Sequence, residues 1–174
     1  VSLVQALRGS LSWPLTTGYV AVQVLGCCAG AILAHAMFDL PLLQSFSHAR
    51  TGIAQWLAEG VATCGLLLVV LGHRRPQDAP WMVAGWIGAA YWFTASTSFA
   101  NPAITIARSL TNTFSGIRPA DVLGFIAALV AGALLALWLS RFLFPSHGQQ
   151  SAESEPALST RVVQAPSAHT GVGQ

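Results

Sequence analysis

The chain contains no lysine. All 8 of its basic side chains are arginine, set against 6 acids, for a formal net charge of +2 over 174 residues. So weak and scattered a charge gives no footprint for nucleic acid. Charged residues of all kinds make up 8%, whereas a soluble globular domain carries about 25%, which argues against an ordinary cytoplasmic enzyme. Cysteine is scarce as well. Cys27, Cys28 and Cys64 are too few for a disulfide scaffold, and they have no metal-ligand spacing. There is no Ser-His-Asp set, no carboxylate pair and no Gly-rich phosphate loop, so neither an enzyme nor a cofactor is expected. Apolar residues are abundant, at 53%, far too many for a disordered chain. The remaining class is an all-α integral membrane protein with short loops, whose first partner is the lipid bilayer.

Apolar runs of about 20 residues mark the spans. They cover residues 15–38, 52–72, 79–100 and 122–140; three are uncharged and the second holds a single acid, Glu59. Their length predicts helices, which satisfy the backbone in lipid. Pro14, Pro41, Pro80, Pro119 and Pro145 punctuate the edges. Arg74, Arg75 and Arg141 fall on one side and Arg50, Arg108 and Arg118 on the other. Counting Arg8 and Arg161 with the first group, the positive-inside rule makes that side cytoplasmic. Residues 145–174, rich in Ser, Gln, Ala, Pro and Gly, read as a disordered cytoplasmic tail.

Two segments, residues 1–10 and 101–110, are apolar but span about half a bilayer as helices. Such half-helices are tolerated only inside protein or beside a water-filled cavity. They also match each other: Val1-Ser2-Leu3 aligns with Ile104-Thr105-Ile106. Further on, the run from Ala29 to Ala34 aligns with the run from Ala131 to Ala136. The repeated unit is span, span, half-helix, span. Three crossings separate corresponding points, so the copies are inverted, with four transmembrane helices and two re-entrant half-helices. Inverted repeats with broken helices are a transport architecture. The repeat predicts two more spans ahead of Val1, roughly fifty to seventy residues, ending in a tripeptide like Asn101-Pro102-Ala103.

That tripeptide opens the second half-helix. Asn101 suits an N-cap, because its side-chain oxygen can accept an orphan backbone N–H. Pro102 suits position N1, and Ala103 is small and helix-favouring. The Asn amide NH2 is then free to donate into a pore, beside the partial positive charge of the helix end. Such a pair of ends would orient water and repel cations and protons.

With SFANPAITIARSLTNTFSGIRPAD, WLAEGVATCGLLLVVLG and YVAVQVLGCCAGAILA, residues 1 to 144 resemble the aquaporin and glycerol-facilitator family. The resemblance implies a homotetramer with one pore per subunit, six spans in the complete protein, and a place in a bacterial inner membrane. It also implies that Glu59 braces the re-entrant loop by accepting its backbone N–H groups. Members usually carry Arg directly after the second Asn-Pro-Ala; here that position is Ile104. By the family's spacing, the other constriction residues are Ala89 and Ser98. Losing the guanidinium removes a bulky donor and a positive barrier. A wider constriction is therefore expected, passing uncharged solutes beyond water, such as glycerol, urea or metalloid hydroxides. Arg108 lies one turn beyond Ile104 on the same face and is either a substitute donor or a snorkelling side chain.

Gly124, Ala128, Gly132 and Ala136, and likewise Gly26 and Gly30, form small-residue stripes expected to pack the two half-helices and the repeat interface. His35 is read as a packing or interface residue, with gating as the alternative. Besides a passive channel, two readings stay open: a non-conducting fragment of such a channel, and an inverted-repeat secondary transporter. The transporter reading is weakened by the single intramembrane acid.

Overall fold

A computed structural model describes residues 1–44, 47, 49–73 and 75–144. The tail expected at 145–174 and Arg74 lie outside the described residues, within which only helices and turns occur. In chain order these are α1 (Ser2–Leu7), α2 (Trp13–Met37), α3 (Ile53–Gly72), α4 (Ala79–Phe93), α5 (Pro102–Arg108) and α6 (Val122–Leu143). Single 3-10 turns, Pro76–Asp78 and Pro119–Asp121, lead into α4 and α6.

Local chemistry sets the ends. Pro14 sits in the first turn of α2, where no N–H is needed. That helix stops where Asp39 turns left-handed (φ 54°) and Leu40 N–H returns to the His35 carbonyl at 2.9 Å, satisfying a carbonyl left orphaned by the helix end. Gly52, at φ 124°, precedes α3 in a conformation that side chains resist.

Three helices are long and apolar enough to cross a membrane: α2, α3, and α6 with its leading turn. The expected span 79–100 is corrected. Helix α4 ends at Phe93 after 15 residues, about 22 Å at the usual rise. Thr94 turns extended (ψ 135°), and beyond it Thr97, Ser98 and Ala100 all adopt positive φ.

The most extensive packing is α3 against α6. Gly132 lies directly on the backbone of Gly60, and Gly124 faces the Trp56 indole. The small-residue stripe of α6 therefore seats a full-length helix, α3, and its last member, Ala136, also meets Val4 of the short helix α1. Without side chains the two backbones approach closely and gain dispersion contacts. A Cβ on Gly26 or Gly30 of α2 would meet no neighbouring element within 4 Å, so their stripe seats nothing among the described residues. Val4 of α1 is buried with Cys64, Leu67, Ala133 and Ala136 in the notch between α3 and α6. Both short helices, α1 and α5, pack on the same two long ones, α2 and α6.

Helix α2 is the outlier. Only Thr16 and His35 are buried on it, while Val22 and Leu25 are 69% and 70% exposed. A helix apolar all round belongs in lipid or against other protein, not in water.

Candidate functional site

Asn101 stands at the mouth of α5 with extended backbone (φ −155°, ψ 123°). Its Oδ1 accepts the Ala103 N–H at 2.9 Å, and Thr105 Oγ1 donates to its carbonyl at 3.0 Å. Pro102 follows at the first helical position. With Oδ1 occupied by the cap, the amide NH2 of Asn101 is the part left to face outward.

The approach to Asn101 is strained. Thr97, Ser98 and Ala100 have φ of 62°, 42° and 48°, each costing about 1–2 kcal/mol for a residue with a Cβ. Such a stretch persists only where its surroundings over-determine it. Glu59, fully buried on α3, supplies one anchor. Its Oε1 accepts the Phe99 N–H at 2.8 Å and its Oε2 the Ala100 N–H at 2.9 Å. Both carboxylate oxygens thus meet backbone donors that would otherwise be orphaned in the interior.

A groove of about 260 Å³ runs past this point, and Asn101, Ser98 and Ile104 all line it. The first residues of α1 open on the same groove, so the N-termini of α1 and α5 converge there. Gln23 of α2 also lines it and donates to Ser2 Oγ at 3.3 Å. Ser98 is buried, and its hydroxyl has no partner among the described residues. Leu66 and Ile87 supply apolar wall. Polar groups along an otherwise apolar passage can hand a small hydroxylated solute from donor to donor.

Ala89, expected at the constriction, is exposed and is not among the residues lining this groove; α4 presents Ile87 and Tyr91 there. The rotation of α4 decides this. Trp86 donates from Nε1 to the Ala62 carbonyl at 2.9 Å, and its ring fills the space that Gly65 leaves open. Two residues past Ile87, Ala89 falls about 200° around the helix.

Ile104 and Arg108 share one face of α5 and line a second, larger cavity of about 630 Å³, with His35 of α2 and Phe38 just past its end. Ile104 borders both cavities. It also packs on the buried cluster of Phe99, Ile117 and Phe125. The Arg108 guanidinium lies over the Phe99 ring, 4.2 Å from its centroid, and its buried Nη1 has no hydrogen-bond partner among the described residues. Pro102 borders the groove beside Asn101, whereas Ala103 is buried against the fold. His35 is 3% exposed, with Nδ1 2.9 Å from the Leu42 carbonyl.

Arg50, in sequence no more than a charge that helps to set sidedness, is a hub. Its Nη1 donates to the Ser96 carbonyl (3.1 Å) and Thr97 Oγ1 (3.3 Å), and its Nη2 to the Phe114 carbonyl (2.9 Å). Its backbone N–H donates to Asp121, which also pairs with Arg118, both at 2.8 Å. Burial pushes the Arg50 guanidinium below its usual pKa, against the pull of the Glu59 charge. No pattern in the linker sequence announces these partners, because each lies more than forty residues away. No group of acids, His and Cys that could hold a metal ion occurs among the described residues.

No family model matches the chain, and no solved structure matches it. Among curated proteins, the aquaglyceroporin AqpS of Rhizobium meliloti (strain 1021) is 54% identical over 162 residues, covering 90% of this chain and 70% of that relative. Identity of that extent, over the same helices that carry Glu59 and Asn101, makes the chain an integral membrane protein and not an enzyme. It belongs to the aquaporin and glycerol-facilitator family of membrane channels.

Proposed function

We propose that the protein is a passive channel for water and small uncharged solutes such as glycerol, urea and metalloid hydroxides. The observation that carries this reading is Asn101. Its oxygen caps α5 while the residue lines a groove shared with the first turn of α1. The amide NH2 donates to a passing hydroxyl, and the α5 N-terminus disfavours cations at the same point. Glu59 acts as the brace that keeps the loop before Asn101 in its strained form. Ser98 and Ile104 form the constriction with Ile87 and Tyr91 of α4, and Arg108 stands one turn further along. With Ile at the position where the family resemblance implies Arg, the passage admits solutes larger than water. The AqpS relative, an aquaglyceroporin by name, supports solutes of the glycerol class. The exposed apolar face of α2 suits burial against neighbouring protein in a homotetramer. The positive-inside rule puts the C-terminus in the cytoplasm of a bacterial inner membrane.

The test is stopped-flow light scattering on proteoliposomes holding the protein expressed from its complete gene. Reswelling in a glycerol gradient well above the rate of protein-free liposomes is expected. Equal rates in the two preparations would overturn the channel reading.

A further inference from the structure

Two clamps hold the strained segment before Asn101, and only one of them is the buried acid. Glu59 fixes its end through the N–H groups of Phe99 and Ala100. Its start is held by a cation from a different connection, the one between α2 and α3. Arg50 spans the Ser96 carbonyl, Thr97 Oγ1 and the Phe114 carbonyl, and its guanidinium lies 5.6 Å from the Phe99 ring centroid. Ser98 sits between the clamps, with left-handed backbone and an unpartnered hydroxyl on the groove.

We infer that Arg50 is a positioning residue for the constriction: it sets where Ser98 stands, and so the width and polarity of the passage, without touching the solute. Arg50 lines neither cavity, so its action runs through the loop. The planar guanidinium matters, since one compact ammonium cannot reach three acceptors in two separate segments with fixed geometry. Asp121 holds the Arg50 backbone from the other side, and Arg118 holds Asp121. Three connections therefore meet at one residue, through its side chain and its backbone N–H: the linker after α2, the descent after α4, and the connection between α5 and α6. A shift in any of them is passed to Ser98.

This inference rests on the channel reading, and two measurements keep the failures apart. The first compares wild type, Arg50→Met and Arg50→Lys in proteoliposomes made from the complete gene. The readout is the ratio of glycerol to five-carbon polyol permeability, which a change in the amount of folded protein does not move. Arg50→Met is expected to shift the ratio at least about threefold, and Arg50→Lys less. The second measurement needs no flux. Ser98→Cys is placed in a background with Cys27, Cys28 and Cys64 replaced by Ser, and its labelling by a small thiol reagent is timed. Ser98 is 4% exposed, so labelling is slow when Arg50 is present; Arg50→Met is expected to speed it about tenfold as the segment loosens. Should Arg50→Met not fold, Arg50→Lys carries both comparisons. Permeability ratios and labelling rates equal to wild type in the variant that folds overturn the assignment. Absent flux in wild type strikes the channel reading alone, and the labelling rates still decide Arg50.

Discussion

Glu59 and Phe99 stand 40 residues apart in sequence, yet Oε1 of the first accepts the backbone N–H of the second at 2.8 Å. The second oxygen takes the next amide, that of Ala100, at 2.9 Å. A helix and the strained loop before Asn101 are joined here by one carboxylate with no exposed surface. The arrangement demands an acceptor at both positions.

Glu59→Gln tests that demand. The amide keeps one acceptor oxygen and turns a donor NH2 toward the other backbone N–H. One buried donor is left unsatisfied, at a cost of about 1–3 kcal/mol. A clear fall in the thermal midpoint in detergent, with loss of solute flux, is the expected outcome. Glu59→Asp, a methylene shorter, should fall in between because it cannot reach both amides. Midpoints equal to wild type in both variants would remove Glu59 from its bracing role.

The crossing of α3 and α6 predicts an asymmetry between two glycines. A methyl on Gly132 would collide with the backbone of Gly60, which cannot yield without moving a helix. A methyl on Gly60 would meet only the Ala128 carbonyl, at an ordinary 3.8 Å. Gly132→Ala is therefore expected to destabilise by about 1–3 kcal/mol through overpacking. Gly60→Ala should be neutral or slightly stabilising, given alanine's helix preference of about 1 kcal/mol over glycine. Thermal unfolding of the two single variants checks the order, and equal losses would show that the crossing does not discriminate.

The long helices were legible because an uninterrupted apolar run with prolines at its edges has few alternatives. The break at Phe93 was not. Thr, Ala and Ser in residues 94–100 suit a helix and an extended descent equally well by hydropathy. What anchors the segment beyond the helix is a carboxylate on α3, 34 residues before α4 ends. Three left-handed residues without a glycine among them give no local signal either. The same holds for Ala89. Counting back from Asn101 locates a position in the chain, but the rotation of α4 is set by Trp86 against Gly65 and Ala62. Asn101 was readable because an N-cap is local chemistry, settled within three residues. Arg50 was not, because its role exists only once three connections have been brought together.

Asn101 offers a substitution that separates folding from conduction. Asn101→Asp keeps an oxygen for the Ala103 N–H, so the cap and α5 should survive. It replaces the outward NH2 with a carboxylate oxygen, an acceptor with negative charge. Under the channel reading, flux of neutral solutes should drop and cation or proton leak should rise, because the barrier to positive charge is inverted. Asn101→Ala should instead cost stability, about 0.5–2 kcal/mol for the lost cap. Solute flux, pH-dye leak and thermal midpoint on the same preparations distinguish the two. An Asp variant with unchanged flux and leak would mean the side chain does not face the passage.

Ile104→Arg asks whether the missing guanidinium widens the constriction. Ile104 borders both cavities and packs on Phe99, Ile117 and Phe125. The substitution adds volume, donors and charge at that border while withdrawing a branched side chain from the cluster. Arg108 stands four residues on, on the same face, and like charges at that spacing cost a few tenths of a kcal/mol. The new side chain is therefore pushed toward the groove, where it narrows the passage. Glycerol permeability should fall about tenfold and water permeability much less, because a tighter, more polar constriction excludes the larger solute first. Ile104→Met supplies the control: it has similar volume and no charge, at a cost below about 1.5 kcal/mol. If Met and Arg lower glycerol flux alike, packing is the cause and position 104 does not select. If Arg alone lowers it, the residue at this position sets the size of solute that passes.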